Sequence, residues 1–424
     1  MLELNRIRQN KDKVIELLKV KNLRDAEEKI NELLNLDEDK RQVQKVMEDI
    51  KAELNLKAKE IGNIMKQGSK ELAENAKAEV AKLKEKEKDL ERDMSDFEER
   101  LNAILLSIPN LPHSSVPKGK SAEDNENIHQ EGEIPSLYDG ATPHWDICSK
   151  YDIVDFELGT KITGAGFPVY KGKGAKLQRA LINFFLDEAS KAGFDEVQIP
   201  LMVNEASAMA TGQLPDKEGQ MYTIPVDGFY MIPTAEVPVT NIFRDIILQE
   251  KEFPVRKCGY SQCFRREAGS YGKDVRGLNR LHQFDKVEIV CIEHPDRSYE
   301  QLEKMKEHVS NLLRKLELPF RILRLCGGDM SFTSALTFDF EVYSTAQERW
   351  LEVSSVSNFE TYQSNRMKLR FKNSEGKTQL AHTLNGSALA LPRIVASLLE
   401  NHQTPEGIRI PKALVPYTGF EILN

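Results

Sequence analysis

The first 108 residues contain none of the chain's 18 prolines and only two of its 24 glycines, Gly62 and Gly68. Proline and glycine are the main interrupters of helix, so nothing local stops this stretch from running as long helices. Its apolar residues fall in two stripes. Leu36, Val43, Met47, Ile50, Leu54, Ile61 and Ile64 follow one another at spacings built from threes and fours, with Lys40 and Lys57 interrupting. After a turn signal, Lys66-Gln67-Gly68-Ser69-Lys70, come Ala76, Val80, Leu83, Leu90, Met94, Phe97, Leu101 and Ile104, with Glu87 interrupting. Two heptad seams on a Lys/Glu-rich background, joined by a short turn, predict an antiparallel two-helix coiled coil. At ~1.5 Å per residue, the first helix, from about Glu27 to Ile64, is roughly 55 Å long. A solvated spacer or dimerisation element and a long-reach binding arm both satisfy this pattern.

The excess of charged residues, 30% of 424, is concentrated in that segment. The rest is long enough to bury a large core. No apolar run approaches the ~18–20 residues that a membrane span needs, and the start of the chain has neither signal nor transit character. The five cysteines (148, 258, 263, 291 and 326) form an irregular, odd set and read as reduced thiols of a cytoplasmic protein. With a net charge of −8, any nucleic-acid binding must rest on a local basic surface and not on an overall positive coat.

Composition changes at Pro109. Residues 1–108 read as a helical arm, 109–135 as a linker or entry segment, and 136–424 as an α+β domain. In the last, Lys176–Lys191, Arg297–Leu316 and Ala388–Asn401 have helical period, the final one opened by Asn385-Gly386-Ser387. Val197–Pro200, Phe229–Ile232, Val287–Val290, Phe338–Val342 and Leu351–Val353 read as strands. Strand pairs outnumber helices, which favours an antiparallel sheet flanked by helices over βαβ repeats.

There is no P-loop, no nucleophile elbow and no HExxH. The Gly-x-Gly pairs at 164–166 and 172–174 read as turns, and Cys258 and Cys263 lack the second pair a zinc site needs. Charged residues in strand-like context are present instead. Phe264-Arg265-Arg266-Glu267 precedes a Gly-rich, basic stretch, Ala268–Gly277, and the chain returns as Arg280-Leu281-His282-Gln283-Phe284-Asp285-Lys286-Val287-Glu288. This is a hairpin with a long loop. By alternation, Arg265, Glu267, Phe284 and Glu288 share a sheet face, which suits a nucleotide: arginine for phosphate, an aromatic for the base. The alternative is solvated charge on that hairpin. Glu352-Val353-Ser354-Ser355 closes a strand, and Glu352 and Ser355 offer hard oxygens of the kind Mg²⁺ takes beside phosphates. Pro392 marks a kink or an early helix turn before Arg393.

These segments together resemble a known family. Phe-Arg-x-Glu…His-Gln-Phe-x-Lys-Val-Glu is similar to motif 2 of class II aminoacyl-tRNA synthetases. Asn385-Gly-Ser-Ala-Leu-Ala-x-Pro-Arg393 is similar to motif 3, and the helix and strand at 177–200 to motif 1. Pro233-Thr-Ala-Glu236, Met209–Pro215, Ile108–His113 and the helical hairpin narrow the resemblance to bacterial-type seryl-tRNA synthetases, over essentially the whole chain. Ser357-Asn358-Phe359 and Arg266 depart from the family's usual residues.

The resemblance implies a class II antiparallel-sheet catalytic domain. It would use ATP and Mg²⁺ to make seryl-adenylate and pass the seryl group to tRNA(Ser), with tRNA(Sec) left open, as a homodimer. It implies that Arg265 bridges the serine carboxylate and the α-phosphate, and that Arg393 holds the γ-phosphate. Phe284 and Arg393 flank the adenine, Glu267 accepts from its amine, and Glu352 and Ser355 hold Mg²⁺. Arg266, Val353 and Ser354 complete the ATP set. Serine falls to Thr234, Ala235, Glu236, Glu288, Asn385 and Ser387 together with Arg265. The hairpin becomes a tRNA-binding arm in which Arg41, Lys45, Lys51, Lys59, Lys82 and Lys86 face phosphates. The competing readings are a synthetase-like regulator, an enzyme loading a small amino acid onto a carrier protein, and a coiled-coil adaptor.

Overall fold

The computed structural model describes residues 1–66, 70–216, 219–267 and 276–424. The turn at 67–69 and most of the Gly-rich stretch, 268–275, lie outside them. The chain packs as two units: residues 2–19 with 23–109, and residues 1, 20–22 and 110–424.

The smaller unit is helical. Leu4–Gln9 and Lys11–Val20 are short helices, followed by Ala26–Lys66 and Lys70–Ser107. The two long helices, of 41 and 38 residues, pack along each other. The first runs two residues beyond the expected end at Ile64. From residue 40 to residue 66 its shielded positions are 40, 43, 47, 50, 54, 57, 61 and 64, the predicted stripe with its two lysines included. Those lysines are not defects in the seam. Lys40 meets Glu98 across the hairpin at 2.8 Å, Lys57 meets Glu79, and Glu87 lies 4.0 Å from Lys51. Each seam charge therefore keeps its methylenes against the apolar stripe and its charged end on a partner of opposite sign.

The larger unit is built on one eight-stranded sheet, in the order Glu126–Glu131, Phe320–Arg324, Leu336–Ser344, Arg349–Glu360, His382–Ala390, Gln283–Glu293, Val255–Phe264 and Asp195–Glu196. Every pairing is antiparallel except the last. The stretch expected as an entry segment thus supplies an edge strand. Helices Gly172–Lys191, Ser298–Lys315 and Leu391–Asn401 bury their apolar stripes in one core on one side of the sheet. Val287, Ile289 and Cys291 face that core, while Val290 and Ile292 join a smaller cluster on the other side. By the same alternation Phe284, Lys286 and Glu288 fall on the side away from the large helices. All five cysteines are buried and unbridged.

Most element boundaries shift by a few residues, and three of the differences bear on the site. Val197–Pro200 is not strand; the short parallel strand is Asp195–Glu196, after which Val197 N–H donates to the Cys258 carbonyl at 2.8 Å. Residues 385–390 belong to a strand, and the helix begins only at Leu391, with Pro392 in its first turn. Proline is preorganised for that position and loses no hydrogen bond there. Glu352–Ser355 does not close a strand but lies inside one, Arg349–Glu360. Of the Gly-x-Gly pairs, Gly172 and Gly174 open the helix Gly172–Lys191 and so do not form a free turn.

Candidate active site

The cleft lies on the sheet face opposite the three large helices. Its floor comes from Gln283–Glu293, His382–Ala390 and Arg349–Glu360, and its rim from Gln213, Gln220, residues 233–236, Arg265, Glu267 and residues 278–281 and 325–333. Two adjoining hollows share Arg265, Glu267, Arg280, Lys286, Glu352 and Ser387.

The first hollow, about 710 Å³, surrounds Phe284, Val353, Ser354 and Arg393. The Arg265 guanidinium lies 5.2 Å from the Phe284 ring, and its Nε donates to the Pro233 carbonyl at 3.2 Å. Arg393, in the first turn of its helix, donates from Nε to the Asn279 carbonyl (3.0 Å) and from Nη1 to the Glu352 carbonyl (2.6 Å). Two backbone acceptors therefore aim the one arginine of a mostly apolar helix. Glu267 accepts from Arg280 at 2.8 Å. Arg265 and Glu267 were expected to reach this face by strand alternation. The strand ends at Phe264, however, and Glu267 has φ +49°, in the left-handed region. Irregular backbone, not the pleat, brings both into the cleft.

The second hollow holds the acidic residues. Glu288 is buried (1% exposed). Its Oε2 receives Lys286 Nζ at 2.6 Å, Thr234 Oγ1 at 3.4 Å and Ser387 Oγ at 3.5 Å. Lys286 Nζ also donates to Thr234 Oγ1 at 2.7 Å. Glu236, at the start of a short helix, accepts from Gln363 Nε2 at 2.7 Å, and Gln363 Oε1 is held in turn by Thr383 at 2.7 Å. Burial first, and the neighbouring Glu288 charge second, push the Glu236 carboxyl up to about 7; Gln363, Lys286 and Arg265 oppose that rise. Asn385 lines the same hollow.

Glu352 and Ser355 lie three apart, which in a regular strand means opposite faces. Against Leu336–Ser344, Phe340 pairs with Ser354 and Glu341 with Glu352, so Val353 is an extra, bulged residue. The bulge puts Glu352 and Ser355 into one hollow, and Val353 and Val356 together into the core behind. Asp339, paired with Ser355 across the ladder, joins them; its Oδ1 is buried without a hydrogen-bond partner. Burial and the nearby Glu352 charge hold the Asp339 carboxyl well above its usual range.

The structure thus brings every candidate site residue except Ala235 and Arg266 to one cleft. Ala235 is fully buried in a small apolar cluster, and Arg266 lines neither hollow, its backbone N–H donating to the Gln220 carbonyl. Lys286, Asp339, Gln363 and Asn279 have no role in the sequence reading. Lys286 had a visible signal, since it has the parity of Phe284 and Glu288. Asp339, Gln363 and Asn279 are brought in by pairing and loop geometry that no local pattern announces.

An antiparallel floor with arginines at its margins is the architecture of a class II aminoacyl-tRNA synthetase core. Residues 222–402 match the family model "tRNA synthetase class II core domain (G, H, P, S and T)", and residues 1–112 match "Seryl-tRNA synthetase N-terminal domain". The serine–tRNA ligase of Salinibacter ruber is 50% identical, covering 99% of this chain and 98% of its own; that of Chlorobaculum parvum is 44% identical over 100% of both. Among solved structures, seryl-tRNA synthetase from Pyrococcus horikoshii, complexed with ATP, superposes with a TM-score of 0.93 at 32% identity, covering 100% of this chain and 99% of that one. The chain belongs to the seryl-tRNA synthetase family.

Proposed function

We propose that this chain activates L-serine with ATP and transfers the seryl group to tRNA(Ser). The observation that carries this reading is the adjacency of the two hollows. One, with two buried carboxylates and small hydroxyl residues, suits a small hydroxylated amino acid. The other, with an aromatic ring and two arginines, suits a nucleotide.

In the first step a serine carboxylate oxygen attacks the α-phosphorus. The new O–P bond forms as the bond from the α-phosphorus to the α,β-bridging oxygen breaks, and pyrophosphate leaves with that electron pair. No proton need move, so the step requires no general base. The obstacle is repulsion between two anions, and preorganised cations answer it. Arg265, between the hollows, bridges carboxylate and α-phosphate. Arg393 meets the outer phosphates. Phe284 carries the adenine, and Glu267 accepts from its amine. In the second step a hydroxyl of the tRNA's terminal adenosine attacks the seryl carbonyl carbon, the bond from that carbon to the phosphate oxygen breaks, and AMP leaves with the electron pair while its phosphate takes up the hydroxyl proton.

The donor set of Glu352 and Ser355, with the orphaned Asp339 oxygen beside it, fits Mg²⁺, which prefers hard oxygens. Glu352 and Ser355 would hold it, and when bound it supplies charge screening for the phosphates. Within the amino-acid hollow, Glu236 and Thr234 receive the ammonium, while Glu288, with Ser387 and Asn385, reads the hydroxyl. Alanine leaves that acceptor unpaired, and sites of this type discriminate by up to ~10⁴–10⁵. In the helical hairpin Lys45, Lys59, Lys82 and Lys86 are exposed and carry no ion pair among the described residues, which suits phosphate contact. Arg41 is engaged by Asp37 and Glu38, and Lys51 by Glu87.

Serine-dependent ATP–pyrophosphate exchange followed by charging of purified tRNA(Ser) tests the reading. Exchange without charging, but with loading of a carrier protein, would favour that alternative. Light scattering is expected to report about twice the chain mass of 48.3 kDa, as the homodimer reading requires; a monomer at micromolar concentration would remove it.

The raised Glu236 pKa gives a separate expectation. With the folded-state value near 7, the carboxyl is about half protonated at pH 7, and its protonated form favours the fold below the ordinary carboxylate range; that contribution is lost as pH rises to about 7. An ammonium bound beside it lowers the pKa, so serine binding at pH 7 should release roughly half a proton. Calorimetry in buffers of different ionisation enthalpy reads this directly. Release should fall to near zero at pH 8, where free serine still carries its ammonium proton, and in Glu236→Gln; equal release at both pH values would reject the assignment.

A further inference from the structure

Lys286 is 5% exposed and lines both hollows. A buried ammonium is costly unless it is paired. Its partners are two groups that the amino acid itself needs, Glu288 Oε2 at 2.6 Å and Thr234 Oγ1 at 2.7 Å. The pairing is one-sided. Lys286, Thr234 and Ser387 all direct their donors at Oε2 of Glu288, and Oε1 accepts no hydrogen bond among the described residues. The two oxygens of this carboxylate are therefore not equivalent: one is saturated by the protein and one is free to accept. The charge count points the same way. Glu236, Glu267, Glu288, Asp329, Asp339 and Glu352 line the hollow against Arg265, Arg280 and Lys286, and of the two most deeply buried carboxylates, Glu236 and Glu288, Lys286 pairs with Glu288. The excess of carboxylates leaves a place for a substrate ammonium beside Glu236.

We propose that Lys286 is a specificity-setting positioning residue: by occupying Oε2 of Glu288 it leaves Oε1 as the single acceptor that reads the substrate hydroxyl. Thr234 serves as the second anchor of the lysine, so the ammonium is held between two fixed points and cannot swing to Oε1. The inference rests on Glu288 as the hydroxyl-reading group.

Without Lys286 either oxygen of Glu288 can accept and the carboxylate is free to rotate, so the hollow no longer demands a donor at one place. Glu236 also loses a cation that holds its pKa down. Lys286→Met and Lys286→Arg would be compared with the parent chain by pyrophosphate exchange with serine and with alanine, across pH 5.5–9, with thermal melting as a check on folding. Lys286→Met is expected to lower kcat/KM for serine at least 100-fold, to shrink the serine-over-alanine ratio at least tenfold, and to leave the KM for ATP within threefold. The pH at which serine use reaches half its maximum should move upward. Lys286→Arg keeps the charge and should restore the pH position and most of the ratio. A purely structural lysine would lower serine and alanine use together, with ratio and pH midpoint unchanged, and that result would overturn the proposal. If Lys286→Met does not fold, Lys286→Arg and Lys286→Gln carry the test: the glutamine variant must shift the midpoint and the arginine variant must not, or the proposal fails. Glu288→Gln separates the two layers of the argument. If it leaves the serine-over-alanine ratio intact, the reading of Glu288 itself fails. If it collapses the ratio while Lys286→Met does not, only the role of Lys286 fails.

Discussion

Replacing Arg265 with alanine is expected to suppress adenylate formation by about 10²–10³ or more, because loss of one preorganised charge contact typically costs ~3–4 kcal/mol of transition-state stabilisation. Arg265 alone lines both hollows while stacking on Phe284 and being tethered to the Pro233 carbonyl. Its guanidinium is thus fixed where carboxylate and phosphate must meet. Lysine is expected to recover little, since a point charge replaces neither the planar fork nor the stacking. Single-turnover adenylate formation, quenched and counted at saturating serine and ATP, isolates the chemical step, with pyrophosphate exchange as the steady-state companion. Exchange within tenfold of the parent chain would show that another cation bridges the reactants.

The second large effect separates adenylation from charging. Lys40 and Glu98 face each other across the hairpin at 2.8 Å, so residues 41–97 can be removed and the ends joined by a short Gly/Ser linker. The buried residues nearer the base of the hairpin, Leu33, Leu36, Leu101 and Leu105, remain in such a chain. Every residue lining the cleft lies beyond position 210, so exchange should persist within a few-fold. Charging of tRNA(Ser) should fall by 10² or more, because the exposed lysines that suit phosphate contact are gone. In the intact chain, charging at limiting tRNA should also decline steeply with salt through counterion release. Equal retention of both half-reactions would make the hairpin a spacer, and loss of both would make it a folding element.

How much of this was readable from the sequence depended on how local the determining physics is. The hairpin was readable residue by residue, because a heptad seam is a property of near neighbours. Its interruptions at Lys40, Lys57 and Glu87 looked like flaws, since each is resolved by a partner 22–58 positions away. Residues 388–390 read as helix because alanine and leucine favour it; the sheet takes them instead, the usual way tertiary pairing overrides a weak propensity. Glu352 and Ser355 were found by side-chain chemistry alone. The bulge at Val353 that makes their spacing workable has no sequence signature. Lys286 was on the right face by simple alternation, but what distinguishes it is the convergence of donors from three segments on one oxygen of Glu288.

The three charge pairs across the hairpin do more than tolerate polar residues in a seam. In each, one partner sits about as far up the first helix as the other sits down the second, so all three specify the same alignment. An apolar stripe alone is nearly indifferent to a slide of one heptad, because leucine, methionine and isoleucine substitute for one another. A slide of one heptad, ~10 Å, would break all three pairs at once and leave their charges stranded against hydrocarbon. The helices therefore behave as a vernier: the apolar residues provide the grip and the sparse charges provide the graduation. A structure only two helices thick keeps a fixed length, and whatever its far end touches is met at a set distance from its base.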